Sequence, residues 1–134
     1  MNVHEKIFRN LKKIGVVSDE GLCFDGYVKL ESAGFMPLSF ELLEDKPPVF
    51  TLAMAHYGEM NGDAMADPDM EIRINFEGKT VEALTFQNDY VGAYSRIYDS
   101  EGNFNPATKK DLDSFLLQWT QNAIDQGFKH EGVN

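Results

Sequence analysis

The side chains best suited to chemistry lie in an acidic stretch that runs from His56 to Asp69. Between Pro47 and Ile72 the chain carries five carboxylates and no lysine or arginine. Carboxylate oxygens that converge could hold a hard cation such as calcium or magnesium. Their order does not follow the pattern of a calcium-binding loop, so we expect no bound metal and no cofactor. The five acidic residues are Glu59, Asp63, Asp67, Asp69 and Glu71.

A catalytic interpretation of the same stretch pairs His56, as a general base, with Asp63 or Asp67 as the carboxylate that orients it. This pairing requires the side chains to meet in one concave site. The sequence contains no serine-hydrolase, P-loop, dinucleotide-binding or His-Glu-x-x-His motif. Zinc is also poorly supported, because the histidines are scattered and Cys23 stands alone. A metal-assisted or hydrolytic enzyme centred on residues 56–69 is therefore kept as the alternative to a non-enzymatic protein.

A second candidate stretch, residues 86–94, combines amide, carboxylate and tyrosine side chains. Tyrosine has an apolar body and a polar tip, so it serves in recognition and equally in covering a core. The acidic stretch also has a purely structural interpretation, since Asn61-Gly62 is a strong turn former. If the two stretches lie side by side, they form one polar and aromatic surface at an edge of the sheet. The predicted binding residues are Tyr57, Asn61, Asp63, Asp67, Asp69, Gln87, Asp89 and Tyr94.

Two helices are predicted, one near each end of the chain. Apolar residues at helical spacing indicate the first helix, over about residues 2–14, and Gly15 is expected to end it. The second helix, over about residues 106–126, is expected to begin with Asn105 as its N-cap. Residues 130–134 are expected to fray.

The region between the helices shows the period-two alternation of β-strands. The most regular strand begins at Met70, where apolar and polar side chains alternate as far as Glu77. Glu77-Gly78-Lys79 is predicted to turn the chain, and Val81–Gln87 to return antiparallel. Residues 56–69 are predicted to form a long loop between two strands.

These elements predict an α+β fold. One domain is expected over residues 1–134, with an antiparallel sheet of about five or six strands over about residues 22–98. The N-terminal and C-terminal helices should flank this sheet. Its other face is then expected to be partly open to water.

Composition limits the classes of protein to which the chain can belong. With 134 residues, of which 43 % are hydrophobic, it can bury the core of one domain without disulfides. The 22 acidic residues against 12 basic ones give a net charge of −10, which disfavours unaided binding to nucleic acid or to an anionic membrane. There is no long apolar run, and the charged N-terminus is unlike a secretory signal. The single cysteine is typical of a reducing compartment, so a cytoplasmic location is predicted.

Parts of the chain resemble families of uncharacterised bacterial proteins. The segment Pro68-Asp69-Met70-Glu71-Ile72-Arg73-Ile74 resembles the YqiB-like family, together with Val81-Glu82-Ala83-Leu84, Gln87-Asn88 and the terminal helix from Leu112 to Trp119. Upstream, residues 57–68 are similar to a related group that is often encoded on bacterial mobile elements. The resemblance implies no known catalytic residue, substrate or cofactor.

The leading functional hypothesis is a non-enzymatic acidic interaction module, an accessory or regulatory factor of a bacterial mobile element. One version is a nucleic-acid mimic that occupies the basic groove of a protein partner, since its charge would steer it there. Another hypothesis is a homodimer formed through an open sheet face or an unpaired edge strand, in place of a monomer. The expected partner is thus a protein, with a basic surface in the mimic version, rather than nucleic acid or a membrane.

Overall fold

The computed structural model describes residues 1–131 and places one helix near each end of the chain. Helix α1 spans Val3–Ile14, and helix α2 spans Pro106–Asp125. Asn2 caps α1 and Asn105 caps α2, each by accepting hydrogen bonds from backbone amides with its side-chain oxygen. Gly15 ends α1 with a φ of 97°, a conformation that favours glycine. Within the described residues, neither helix has both the length and the apolar composition that a membrane span requires.

Nine strands lie between the two helices. They are β1 (Val17–Ser18), β2 (Gly21–Leu22), β3 (Tyr27–Leu30), β4 (Leu38–Lys46), β5 (Val49–Met60), β6 (Asp63–Asn75), β7 (Thr80–Ala83), β8 (Thr85–Asn88) and β9 (Ala93–Arg96). Seven of them form one antiparallel sheet in the order β3-β4-β5-β6-β8-β9, with β7 also paired to β6. β1 and β2 form a separate two-stranded ribbon. The predicted α+β class is confirmed, and the main sheet has seven strands where five or six were expected.

The long hairpin of β5 and β6 forms the centre of this sheet. Asn61 and Gly62 make its two-residue turn, with φ angles of 53° and 85°, as a type I′ turn requires. The ladder begins directly beside the turn, where Met60 lies opposite Asp63. The predicted loop over residues 56–69 is therefore wrong. The stretch is polar, yet it forms strands because the pairing satisfies its backbone hydrogen-bonding groups.

The return strand predicted at Val81–Gln87 is divided at Leu84. The pairs that β7 and β8 make with β6 differ in register by one residue, which is the offset of a β-bulge. The Leu84 amide still donates to the Glu71 carbonyl at 2.8 Å, so backbone bonding continues across the division. The extra strand in the sheet comes from this irregularity.

The two faces of the sheet differ sharply in composition. On one face, side chains such as Phe40, Met54 and Ile72 are fully buried against residues of the helices, among them Leu11 and Leu116. The other face, which we call the outer face, carries the alternate residues of the same strands. One row of cross-strand neighbours runs over the outer face from edge to edge. Its members are Lys29, Ser39, Ala55, Asp69, Gln87 and Tyr94.

Asp113, a buried residue of α2, joins both helices to the sheet. Its carboxylate accepts a hydrogen bond from the Ala83 amide of β7 at 2.8 Å. The same carboxylate lies 2.8 Å from His4 Nε2 of α1 and 3.2 Å from Lys109 Nζ of α2. A buried carboxylate is stable when it has this many partners, and the Ala83 amide depends on it in turn.

The last described residues are packed against the end of α1. The His130 amide donates to the Ile14 carbonyl at 2.7 Å, and His130 Nε2 lies 2.9 Å from the Cys23 carbonyl. A Cβ atom at Gly15 would collide with the His130 carbonyl, so the close approach requires glycine. The prediction of fraying over residues 130–134 is therefore wrong for His130, and residues 132–134 lie outside the described residues.

We expect Asp113→Ala to lower the free energy of unfolding by about 3 kcal/mol, because the buried Ala83 amide and the His4 ring would lose their partner, while Lys109 keeps its ion pair with Glu82. Urea denaturation of the variant and of the wild type measures the difference. Asp111→Ala, at an exposed position of the same helix, is the matched control and should change stability by less than about 0.5 kcal/mol. Similar losses in the two variants would contradict the role assigned to Asp113.

Candidate functional site

The centre of the candidate site is a pair of side chains on the two strands of the hairpin. The Tyr57 phenol of β5 donates a hydrogen bond to Asp69 Oδ2 of β6. The bond fixes the tip of the tyrosine, while the residue stays 46 % exposed. Tyr57 thus presents an aromatic ring whose position is set by the sheet. The ring borders a cavity of about 190 Å³, which is also lined by Tyr27, Lys29, Pro37 and Ser39.

Asp89 fastens the turn between β8 and β9 to the hairpin. Its Oδ2 accepts from the Ala66 amide at 2.8 Å, and its own amide donates to the Ala66 carbonyl at 2.9 Å. Its Oδ1 accepts from Gln87 Nε2 at 2.8 Å. Beside it, Asp67 Oδ1 accepts from Asn88 Nδ2 at 3.1 Å. These hydrogen bonds hold the two predicted stretches side by side.

The structure brings six of the eight predicted binding residues together and leaves two apart. Asn61 forms the hairpin turn and Asp63 directly follows it. Asp63 is therefore roughly 20 Å from Asp69 along β6, at about 3.3 Å per residue. The six that lie together are Tyr57, Asp67, Asp69, Gln87, Asp89 and Tyr94.

His56 does not form the predicted general-base pair with Asp63 or Asp67. It alternates with Tyr57 along β5, so its ring lies on the helix side of the sheet. There His56 Nδ1 is 3.0 Å from the Pro37 carbonyl, and its ring packs against Trp119 at 5.6 Å between centroids. Among residues 1–131, no three His, Cys, Asp or Glu side chains are grouped so that they could hold a metal ion. The convergent site that the enzymatic alternative requires is not formed by these residues.

The electrostatics of the cluster combine the neutral phenol of Tyr57 with the ionised carboxylate of Asp89. Burial, and next the hydrogen bond to Asp69, raise the pKa of Tyr57. The Gln87 amide, and next the Ala66 backbone amide, lower the pKa of Asp89. At neutral pH Asp89 is therefore negatively charged, and Tyr57 keeps its proton as a hydrogen-bond donor.

Neighbouring strands add residues to this surface that the sequence-based set does not include. Glu41 of β4 and Glu71 of β6 lie on either side of Ala53 of β5, as its direct cross-strand neighbours. Tyr27 of β3 lies opposite Glu41. Alternation along each strand indicates that these side chains share a face, but only the register between strands shows that they are neighbours.

In structural terms the protein is an α+β protein whose antiparallel sheet has helices on one face and exposes tyrosine and carboxylate side chains on the other. Residues 5–129 match the family described as Domain of unknown function (DUF6908), and the chain belongs to this family. The match agrees with the expectation of an uncharacterised family, and it gives no evidence for the YqiB-like family or for a mobile-element link. No curated protein and no solved structure matches the chain. Function is therefore argued from the geometry of the site.

We expect Tyr57 to ionise above the ordinary tyrosine pKa of 10.0. The unfolded chain loses this proton at a lower pH than the folded protein does. The protonated Tyr57 phenol therefore contributes its full stabilisation below the pKa that Tyr57 has in the unfolded chain. This contribution is lost as the pH rises from there through the pKa of Tyr57 in the folded protein. In a pH titration of the folded protein followed by tyrosinate absorbance, Tyr57→Phe should lack one ionisation at high pH. The variant should also lose less stability than the wild type as the solution is made alkaline.

The control for this titration is Tyr94→Phe, which removes a phenol that has no hydrogen bond to Asp69. The late step of Tyr57 should persist in this variant. Tyr98, whose pKa is raised by burial and by its hydrogen bond to Glu82, keeps its own late step in both variants, so the amplitude of the late step is compared. An amplitude in Tyr57→Phe equal to that of the wild type would show that Tyr57 does not ionise late.

Proposed function

We propose that the protein is a non-enzymatic interaction module that binds a lysine- or arginine-bearing segment of a partner protein on its outer face. The observation that carries the proposal is a set of three carboxylates around a floor formed by Ala53. Glu41 and Glu71 lie on either side of Ala53, and Asp69 lies beside Ala55.

The shape of this floor suits a long cationic side chain. Ala53 is partly exposed and presents only a methyl group to the outer face, while Ala55 is buried. Strands in a sheet are about 4.8 Å apart, so the Cα atoms of Glu41 and Glu71 are about 10 Å apart across Ala53. The methylene groups of a lysine or arginine can lie on Ala53 while its charged end reaches the carboxylates.

The same carboxylates are available to a partner. The ion pairs formed within residues 1–131 involve other acidic residues and leave Glu41, Asp69 and Glu71 without a basic partner. Tyr27 and Tyr57 border the floor, and they are 56 % and 46 % exposed. Aromatic faces attract cations, so the tyrosines and the carboxylates favour the same kind of ligand.

The net charge of −10 adds long-range attraction toward a basic partner and repels nucleic acid and anionic membranes. It equally disfavours a second copy of the chain as the occupant, since two such faces would bring like charges together.

A nucleic-acid mimic that blocks the basic groove of a DNA- or RNA-handling protein is the version we favour. The resemblance of residues 57–68 supports an accessory or regulatory role on a bacterial mobile element as the setting.

The proposal predicts salt-sensitive binding to a labelled arginine-rich peptide, measured by fluorescence anisotropy. A glutamate-rich peptide of the same length should not bind. The double variant Glu41→Gln with Asp69→Asn should weaken binding of the arginine-rich peptide by roughly tenfold, because charged hydrogen bonds are lost. Added salt should weaken the wild type more than the variant.

A matched control removes the same two charges elsewhere, through Glu20→Gln with Asp111→Asn at exposed positions of the ribbon and of α2. The control pair should retain most of the affinity. Equal weakening by both pairs would show that overall charge, rather than the outer face, holds the peptide. Indifference to salt would reject an electrostatic interaction, and growth of the scattering mass with concentration would point to self-association instead.

A further inference from the structure

A groove of about 560 Å³ occupies the other half of the outer face, where β6, β8 and β9 meet. Three of its side chains, those of Tyr94, Arg96 and Tyr98, recur at every second position along β9 and the residues that follow it. Ile97, between Arg96 and Tyr98, is buried, as expected where one side of a strand faces the core and the other faces the groove.

Arg96 is the unpaired charge of this groove. It is exposed, and no acidic side chain among residues 1–131 forms an ion pair with it. It lies opposite Thr85 of β8, which holds its backbone in the sheet. The guanidinium therefore keeps its planar set of donors for a ligand. Tyr94 beside it is 58 % exposed and offers the face of its ring.

On the opposite side of the groove, hydrogen bonds within the protein hold the side chains in place. Arg73 donates from Nε and Nη2 to Glu82 Oε2 at 3.2 and 3.0 Å, and its guanidinium lies 5.3 Å from the centre of the Tyr98 ring. The Tyr98 phenol donates to Glu82 Oε1 at 2.7 Å. Glu82 thus matches the charge of Arg73 and holds the Tyr98 ring in place. Such preorganisation lowers the entropy cost of binding.

We propose that this groove binds a small planar aromatic molecule that carries one phosphate or carboxylate group. The anionic group accepts hydrogen bonds from Arg96, and the ring lies against the exposed ring of Tyr94. Glu71, which also lines the groove, accepts a hydrogen bond from an N–H or O–H group on the edge of the ring. The volume is within the range of about 300–1,000 Å³ that is typical of small-molecule sites.

The charge distribution limits how many anionic groups the ligand can carry. Glu71 lines the groove, Arg73 and Lys109 are both paired with Glu82, and the chain as a whole carries −10. Arg96 is left to attract one anionic group, and a polyanion such as a nucleic acid strand is repelled. This site differs from the proposed peptide site in its ligand, which has the opposite charge, although Glu71 borders both.

Calorimetric titration with guanosine monophosphate, 4-hydroxybenzoate and inorganic phosphate tests this proposal. We expect a ring-bearing anion to bind at least about tenfold more tightly than phosphate, because its ring stacks on an aromatic side chain. Tighter binding of guanosine monophosphate would identify a nucleotide ligand, and tighter binding of 4-hydroxybenzoate would identify an aromatic carboxylate. Binding of neither ring-bearing anion, or of all three equally, would overturn the proposal.

Variants locate the binding in the groove. Arg96→Gln should weaken the tighter ring-bearing anion by roughly tenfold, since a charged hydrogen-bond donor is lost. Arg9→Gln removes the same charge from an exposed position of α1 and should leave the affinity unchanged. Unaltered thermal unfolding of both variants would show that the fold is intact. Equal affinities of Arg96→Gln and the wild type would overturn the assignment of Arg96.

Discussion

The register of the β5–β6 hairpin is the constraint on which the whole outer face depends. The two positive φ angles of its Asn61-Gly62 turn set the register next to the turn, as far as Tyr57 opposite Ala66. Beyond Tyr57 the register shifts by one residue, and the shifted register places Ala53 opposite Glu71. A slip of one residue in a strand moves its side chains to the other face of the sheet. The positions of the side chains on the outer face therefore follow from the turn and the shift together.

The other face of the sheet is held by a polar network that extends from the helices to the outer groove. Lys109 of α2 lies 3.2 Å from Asp113 in the interior and donates to Glu82 of β7 at 3.0 Å. Burial alone would raise the pKa of Glu82, but hydrogen bonds from Tyr98 and Lys109, with the charge of Arg73, lower it. Glu82 is thus ionised at neutral pH, and the network that positions the groove also anchors the helix.

The parts of the fold that local sequence determines were predictable. Capping residues and apolar spacing identify both helices, and period-two alternation identifies the strand that begins at Met70. The hairpin is not predicted because the polarity of residues 56–69 favours a loop, although Asn61-Gly62 is a strong hairpin signal. The division at Leu84 and the neighbours of Ala53 depend on register between strands, which no single stretch of sequence contains.

The two halves of the outer face are not electrically independent, because Glu71 belongs to both. In the two proposals, its carboxylate would attract a cationic side chain to Ala53 and would repel an anionic group from Arg96. A cation bound beside Glu71 would neutralise part of that repulsion, and an anion bound at Arg96 would strengthen the attraction for the cation. Coupling of this kind is reciprocal by thermodynamic necessity. One carboxylate between two proposed sites of opposite preference would thus link the binding of their two ligands.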